Sequence, residues 1–537
     1  MTHTYLTLDS VSYTLPDGRA IFSNLSLQFD QRKTALVGRN GVGKSLLGKI
    51  IAGQLAATSG RCVRSGRVFY LAQQISASKH ACVAELAGVK GIIDALQRIT
   101  AGSVDPRDFD AVGEHWNIKQ QLETELSAHG LAHIAIDRPV ASLSGGEAMR
   151  VALVGAYLAE AEFLVLDEPS NHLDCNVRQL LIEQLRAWPR GLLVISHDRE
   201  LLASMERVVE LSSLGLRSYG GGLAFYQQCK AQEQEQAQAY LAQCKHQRKH
   251  ELQKQLSVQE QAQRQNARAS KQAGSANQAK ILLGRAKQRS EVSNGKQLKL
   301  QGIQREQLSQ RVKQAAQQVE QSVEISMQAP GVGQGHHGRL VELDCLELPF
   351  VGPAARTLSL LLNNTQRVAI TGPNGSGKST LLKVLAGLQQ PLAGICKVSG
   401  AFAYLDQQLL GISPEKSALE QLRAVNTGLN QSGLRTRLAQ LGLDADAVTQ
   451  PSGRLSGGER LKLALACALY ADVPAQLLLL DEPSNHLDLV SLQALEQTLC
   501  EYRGALMVVS HDEVFLQQLR LTNRLAVTSA GWTLEPW

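Results

Sequence analysis

Short apolar runs recur towards both ends of the 537-residue chain and are missing from its middle. Thr34-Ala35-Leu36-Val37, Phe163-Leu164-Val165-Leu166 and the stretch from Leu192 to Ile195 lie in the first part. Leu477-Leu478-Leu479-Leu480 and the stretch from Leu506 to Val509 lie in the last. Continuous hydrophobicity over so few residues predicts parallel strands buried on both faces. Leu6 to Tyr13 alternates instead, which predicts an edge strand. Helical spacing falls between the runs, as from Leu46 to Leu55 and from Asn117 to Leu131, so each end predicts an α/β unit. The middle reads differently. From Tyr226 to about Val323 the chain is rich in Gln, Ala, Lys and Arg, has no proline, and carries only Tyr226 and Tyr240 as aromatics. Good helix formers with few breakers predict long helices. Gly274-Ser275, 48 residues from Tyr226 and 49 from Val323, is the expected break, which makes an antiparallel helical hairpin. Asn294-Gly295 is a second candidate break, and Gly284 weakens the returning arm. A solvated spacer is the alternative for this stretch.

Sharper signals sit at the ends of the apolar runs. Asp167-Glu168-Pro169-Ser170-Asn171-His172-Leu173-Asp174 recurs letter for letter as Asp481-Glu482-Pro483-Ser484-Asn485-His486-Leu487-Asp488. Carboxylates at the C-terminal end of a buried strand lie where open α/β sheets place their ligands. Gly38-Arg39-Asn40-Gly41-Val42-Gly43-Lys44-Ser45 follows the strand at Thr34 and precedes a helix, which makes it a phosphate-binding loop. Its backbone N–H groups can curl around phosphates, Lys44 can reach the β and γ oxygens, and Ser45 offers a hydroxyl to Mg²⁺. Its twin is Gly372-Pro373-Asn374-Gly375-Ser376-Gly377-Lys378-Ser379, at an offset of 334. Tyr70-Leu71-Ala72-Gln73-Gln74 matches Tyr404-Leu405-Asp406-Gln407-Gln408 at the same offset. Leu143-Ser144-Gly145-Gly146-Glu147 matches Leu455-Ser456-Gly457-Gly458-Glu459 at 312, so the first copy holds 22 extra residues between these motifs. The acidic octapeptides, and Ser196-His197-Asp198 with Ser510-His511-Asp512, are offset by 314. The chain is an internal duplication of a unit of roughly 200 residues.

Charge separates the middle from the ends. Between Lys230 and Leu300 there are 14 Lys and Arg against 5 Glu and no Asp, a net of +9, which leaves −3 for the rest of a chain whose total is +6. A one-signed excess in one segment speaks of partners rather than of fold. Arg264, Arg268, Lys271, Lys280, Arg285, Lys287 and Arg289 cluster near the expected tip, and with so few aromatics they suit the phosphates of folded RNA better than stacked single strands. The nine cysteines form no Cys-x-x-Cys pair, so neither a zinc site nor a redox motif is indicated, and their scatter suits a reducing compartment. The N-terminus lacks the regions of a signal peptide, and no run approaches the ~20 apolar residues of a membrane span. A cytoplasmic protein with no membrane partner of its own is expected.

Ser144 with Glu147, and Ser456 with Glu459, each form a capping box ahead of a helix, and the same glycine-rich helix start can hold a γ-phosphate. In this order the motifs resemble the ATP-binding cassette family: phosphate loop, glutamine loop, Leu-Ser-Gly-Gly signature, Asp-Glu pair and switch histidine. The resemblance covers nearly all of residues 1–222 and 338–537. It implies an α/β fold of two tandem P-loop cassette domains, facing head to tail, joined by a long α-helical hairpin linker. One ATP site would then join Lys44, Ser45, Gln73, Asp167, Glu168 and His197 to Ser456-Gly457-Gly458. The other would join Lys378, Ser379, Gln407, Asp481, Glu482 and His511 to Ser144-Gly145-Gly146. In the implied roles, Asp167 and Asp481 hold Mg²⁺ with Ser45, Ser379, Gln73 and Gln407. Glu168 and Glu482 orient the attacking water or take its proton, and His197 and His511 sit at the γ-phosphate edge. The sites depart from each other. Leu46 stands where the second copy has Thr380, and Tyr13 lies where cassettes stack an aromatic on adenine, whereas its counterpart is Leu348, with Phe350 as a substitute.

Two cassettes on one chain, a basic linker and the Asn-His-Leu-Asp after Asp-Glu-Pro-Ser resemble the ABC-F subclass, ATPases that act on the ribosome. That resemblance implies a first cassette at 1–222, a linker at 223–329 reaching towards tRNA and the peptidyl-transferase centre, and a second cassette at 330–537. It also implies a short arm-like insertion near 94–133, with a turn at Asp105-Pro106, and the lack of the C-terminal extension of some relatives. The partners implied are rRNA and tRNA of the ribosome, with a monomer off it, in general translation or in protection from an antibiotic. Two other assignments compete. An ATPase subunit of a transporter needs docking surface on the cassettes rather than a charged hairpin. A DNA-associated cassette ATPase carries its coiled coil within one cassette, not between two.

Overall fold

The computed structural model describes residues 6–72, 82–171, 173–273, 302–303, 305–316, 338–406, 409–443, 445–485, 487–528 and 530–537. By packing the chain forms two compact units, Met1–Ala224 with Val323–Trp537, and Phe225–Ser322. The first unit contains the duplication. In its first half a six-stranded sheet runs in the order Val68–Leu71, Phe163–Asp167, Gly191–Ile195, Lys33–Val37, Arg207–Ser212, Gly215–Tyr219, parallel except for the last strand. The second half repeats that order with Phe402–Leu405, Leu477–Asp481, Ala505–Val509, Arg367–Thr371, Asn523–Thr528 and Gly531–Pro536.

The apolar runs are continuous because each strand serves two cores. Leu477 and Leu479 join one buried cluster, with Val368, Ile370 and Leu381. Leu478 and Leu480 join another, with Leu461, Leu465 and Leu506 on the opposite face. Alternate side chains of a strand point to opposite faces, so double burial requires four leucines in a row.

Leu6–Thr14 corrects one expectation. It is the middle strand of a three-stranded antiparallel sheet, between Ala20–Phe29 and Ser59–Arg64, not an edge. Its alternation comes from one-sided burial, with Leu6, Leu8 and Val11 turned to the core and their neighbours less buried. The helix expected from Leu46 to Leu55 spans Lys44–Ala52 and stops at Gly53, which adopts a left-handed cap. Asp105-Pro106 opens a helix rather than making a turn. Asp105 accepts a hydrogen bond from the Arg107 N–H at 2.9 Å and Pro106 takes the first helical position.

The stretch containing the insertion forms helices Lys90–Thr100, Pro106–Val112 and Ile118–Ala128. The first and third pack through Ile93, Ile118, Leu122 and Leu126 onto Val151 and Val154 of helix Gly145–Leu158. On that last helix, Gly155 meets the backbone at Ala87 so closely that a Cβ would stand 2.6 Å from the Ala87 carbonyl oxygen. Gly155→Ala is therefore expected to destabilise the first half by about 1–3 kcal/mol, outweighing the helix-propensity gain of about 1 kcal/mol. The urea midpoint reports it, and an unchanged midpoint would contradict so tight a contact.

The described residues of the second unit are helical. Leu223–Ala273 is one helix of 51 residues, roughly 75 Å at 1.5 Å per residue. Residues 305–316 are helical too, and Val312 and Ala315 bury against Cys244 and Leu241. Further along, His246 and His250 line one cavity with Leu308 and Arg311. Rising numbers on one helix meet falling numbers on the other, so the two run antiparallel. Arg264 and Arg268 are exposed, and Lys271 lies in the same helix. Gly274-Ser275, Gly284, Asn294-Gly295, Lys280, Arg285, Lys287 and Arg289 lie outside the described residues.

Candidate functional site

Each phosphate loop hangs between a buried strand and a helix whose first residue is its lysine, Lys44 or Lys378. The loop can close so tightly only with glycine at its entry. Gly38 and Gly372 have φ of 152° and 150°, and a Cβ on Gly38 would lie 2.2 Å from the Leu211 carbonyl oxygen. Lys44 Nζ donates to the carbonyls of Gly38 at 2.8 Å and Arg39 at 3.0 Å. Lys378 Nζ donates likewise to Gly372 at 2.8 Å and Pro373 at 2.7 Å. Both ammonium groups are thus held inside their loops, and burial lowers both pKa values.

Strand ends deliver the carboxylates. Asp167 and Asp481 are the last residues of their strands and are buried. The next residue in each half, Glu168 or Glu482, adopts φ of 50°, a left-handed conformation that costs a non-glycine residue about 1–2 kcal/mol. Its N–H is tied to the neighbouring strand, Glu168 to the Ile195 carbonyl at 2.7 Å and Glu482 to that of Val509 at 2.9 Å. The turn aims the carboxylates at the histidines beyond those strands. His197 Nε2 stands 3.7 Å from Glu168 Oε1, and His511 Nε2 stands 3.4 Å from Glu482 Oε1. Burial pushes both glutamates up to about 8, His197 down to about 3 and His511 down to about 4. Burial thus favours the uncharged imidazoles and raises the proton affinity of the carboxylates, as a general base requires.

The two halves close these groups into two cavities. One, of about 580 Å³, takes Asn40, Gly41, Gly43, Lys44, Ser45, Leu46, Asp167, Glu168 and His197 from the first half, and Ser456 and Gly457 from the second. Gly458 is buried behind them, where its Cβ position lies 3.0 Å from Ser491 Oγ. The head-to-tail arrangement is thus formed on this side. The other cavity, of about 450 Å³, holds Asn374, Gly375, Gly377, Lys378, Ser379, Thr380, Glu482 and His511, with Ser170, Asn171 and Arg178 from the first half. Ser144, Gly145 and Gly146 do not line it. Phe350, 92% exposed, does, whereas Leu348 is buried in the core. Tyr13 lines neither cavity and packs its ring 6.2 Å from that of Phe22. Gln73 and Gln407 lie outside the described residues.

The oxygen donors fit Mg²⁺. Ser379 Oγ donates to Asp481 Oδ1 at 2.9 Å, and Asp167 Oδ1 is buried without a hydrogen-bond partner. Burial raises the pKa of both aspartates, a cost that a cation would relieve. Among the described residues no three His, Cys, Asp or Glu gather to hold a metal alone. One or two carboxylates completed by substrate phosphates are how Mg²⁺ is usually bound.

Sequence reasoning missed several groups. Tyr70 and Tyr404 donate their hydroxyls to Asp167 Oδ2 at 3.0 Å and Asp481 Oδ2 at 3.3 Å, orienting the carboxylates. Their matched places in the duplication were the available signal. Asp488, the last residue of its octapeptide, accepts the Asn40 N–H at 2.9 Å and so docks the first phosphate loop on the second half. Nothing in the sequence announced that Arg199 pairs with Glu496 across the halves.

The sequence profile of the ABC transporter family matches residues 22–171 and 355–485, more than half of the chain. The chain belongs to the ATP-binding cassette family and is an ATPase that binds nucleotide. It is 30% identical to the tylosin resistance ATP-binding protein TlrC of Streptomyces fradiae, over 92% of each chain. It is 29% identical to the energy-dependent translational throttle protein EttA of Mycobacterium tuberculosis, over 93% of this chain and 87% of that one. The fold is shared with the archaeal ribosome recycling factor aABCE1, solved with the ribosomal stalk protein aP1, at a TM-score of 0.58 and 19% identity over 98% and 90% of the chains. Within the family, the tandem cassettes and these relatives place the chain in the ABC-F subclass.

Proposed function

We propose that this ATPase binds the ribosome, and that ATP-driven closure of the cassettes aims the linker at tRNA near the peptidyl-transferase centre. The observation that carries the reading is the pair of interface cavities combined with the long helix Leu223–Ala273 in the basic middle segment. Cavities at a junction of two halves make ligand binding and closure one event. Lys44 and Lys378 leave their loop carbonyls for phosphate oxygens, and Ser456-Gly457 cap the nucleotide in the first cavity. Asp167 and Asp481, with Ser45 and Ser379, hold Mg²⁺, which when bound neutralises charge on the β and γ phosphates. Glu168 and Glu482 take the proton of the attacking water, while His197 and His511 orient the γ-phosphate edge. Gln73 and Gln407 are assigned to the metal by their motifs.

The relatives support the ribosomal partner. One is named for throttling translation and another for resistance to tylosin, so protection against an antibiotic is the narrower form of the proposal. Among the described residues no helix is long and apolar enough to cross a membrane.

The linker tests it. Neutralising Arg264, Arg268, Lys271, Lys280, Arg285, Lys287 and Arg289 should leave ATPase activity in isolation within about twofold, since none belongs to a phosphate loop, a signature or an Asp-Glu motif. Ribosome binding by an ATP-trapped form should fall about tenfold or more near physiological salt, with a shallower salt dependence because fewer counterions are released. Unchanged binding across a salt series would make the linker a spacer.

A further inference from the structure

A charge taken out of water needs a partner, and the buried arginines at the cassette interface have theirs. Arg178 Nε lies 3.2 Å from Asp198 Oδ2, and Arg199 forks onto Glu496. Arg460 does not. It lines the first cavity with Lys44, Ser45 and Leu46 of the other cassette. Its Nε is buried without a hydrogen-bond partner, and no described carboxylate pairs with its guanidinium. It stands four residues after Ser456, the cap of helix Gly457–Leu469. Helical side chains lean towards the N-terminus, so Arg460 leans over the turn that carries Ser456 and Gly457, which line the same cavity.

The duplication shows that this charge belongs to one site. At the signature offset of 312, Arg460 corresponds to Ala148, which is 6% exposed. The opposing loops differ in the complementary sense. The first cavity has Leu46 and the second has Thr380, whose hydroxyl can donate to a phosphate.

We propose that Arg460 is a phosphate-binding residue acting in trans in the first ATP site, supplying from the second cassette a contact that Leu46 cannot make in cis. This rests on reading the cavities as ATP sites. The guanidinium offers a planar fork of N–H donors suited to phosphate oxygens. Because the contact exists only when the cassettes meet, the first site holds ATP tightly only in the closed form. The second site has Thr380 in its own loop and does not need closure for that contact. The second site therefore fills first, and occupancy of the first site reports closure.

Equilibrium ATP binding to the full chain carrying Glu168→Gln and Glu482→Gln tests this without hydrolysis. With Lys378→Ala added, only the first site remains, and Arg460→Ala should weaken it about tenfold or more, with Arg460→Lys recovering part of the loss. With Lys44→Ala added instead, only the second site remains, and Arg460→Ala should shift it less than twofold. Equal weakening in both backgrounds would show that Arg460 merely supports the signature helix, and no weakening in either would show that it does not reach phosphate. Both outcomes overturn the inference. If Lys44→Ala and Lys378→Ala each fail to remove one bound ATP, the cavities are not the ATP sites, and that reading falls with everything built on it.

Discussion

Replacing Glu168 and Glu482 together by Gln is expected to cut ATP turnover by about 10²-fold or more while two ATP molecules still bind. Glutamine keeps the size of the side chain and the backbone N–H bonds to Ile195 and Val509 that hold the left-handed turn. It cannot take the proton of the attacking water. Binding should survive because the phosphate loops and Ser456-Gly457 are separate groups from the glutamates. The single variants should leave unequal residual rates, because Leu46 faces Arg460 in one cavity whereas Thr380 stands in the other. Steady-state phosphate release checks this, alongside ATP binding measured on the same samples. Full activity in the double variant would remove both glutamates from the chemistry.

The second large effect is expected at the contact between cassettes. Arg199 and Glu496 form a two-pronged ion pair at 2.7 and 3.1 Å, with side chains only 10% and 12% exposed. Arg199→Met leaves a carboxylate buried without its cation and should cost about 3–5 kcal/mol. Burial already raises the Glu496 pKa, and loss of Arg199, which lowers it, raises it further. Protonation then relieves the variant, so its stability deficit should shrink as pH falls through that raised value. Adding Glu496→Ile should restore most of the loss, since a well-packed apolar pair often replaces a buried ion pair without penalty. Isoleucine is what the first half already has at the matching place, Ile182. Denaturant unfolding of the single and double variants decides the matter. A double variant no more stable than Arg199→Met would mean that the two groups are not coupled.

That ion pair also shows where sequence reading stopped. The phosphate loops, capping boxes and Asp-Glu strand ends were legible because each is a local device whose chemistry is complete within about eight residues. The four-leucine strand was legible because burial on two faces leaves no polar position. Leu6–Thr14 was misplaced at an edge because one-sided burial gives the same alternation whether a strand has one neighbour or two. Asp105-Pro106 suits a turn and a helix start equally, and the later packing of Val112 into the core favoured the helix. Arg199 and Glu496 lie 297 residues apart. Their counterparts, Glu513 and Ile182, could not reproduce the pair, so the duplication that revealed the candidate catalytic groups concealed this one. The failure of Ser144-Gly145-Gly146 to line the second cavity has the same character, because it depends on how two halves seat and not on either motif.

If ATP-driven closure commits this ATPase to the ribosome, co-sedimentation should depend on nucleotide. The Glu168→Gln, Glu482→Gln protein should be mixed with purified ribosomes, with and without ATP, and pelleted through a sucrose cushion near physiological salt. The protein is expected to pellet with ribosomes when ATP is present, to stay largely in the supernatant when it is absent, and to behave in the same way when wild-type protein is supplied with a non-hydrolysable ATP analogue. Equal partitioning with and without nucleotide, or no ribosome-dependent pelleting although two ATP are bound, would contradict it.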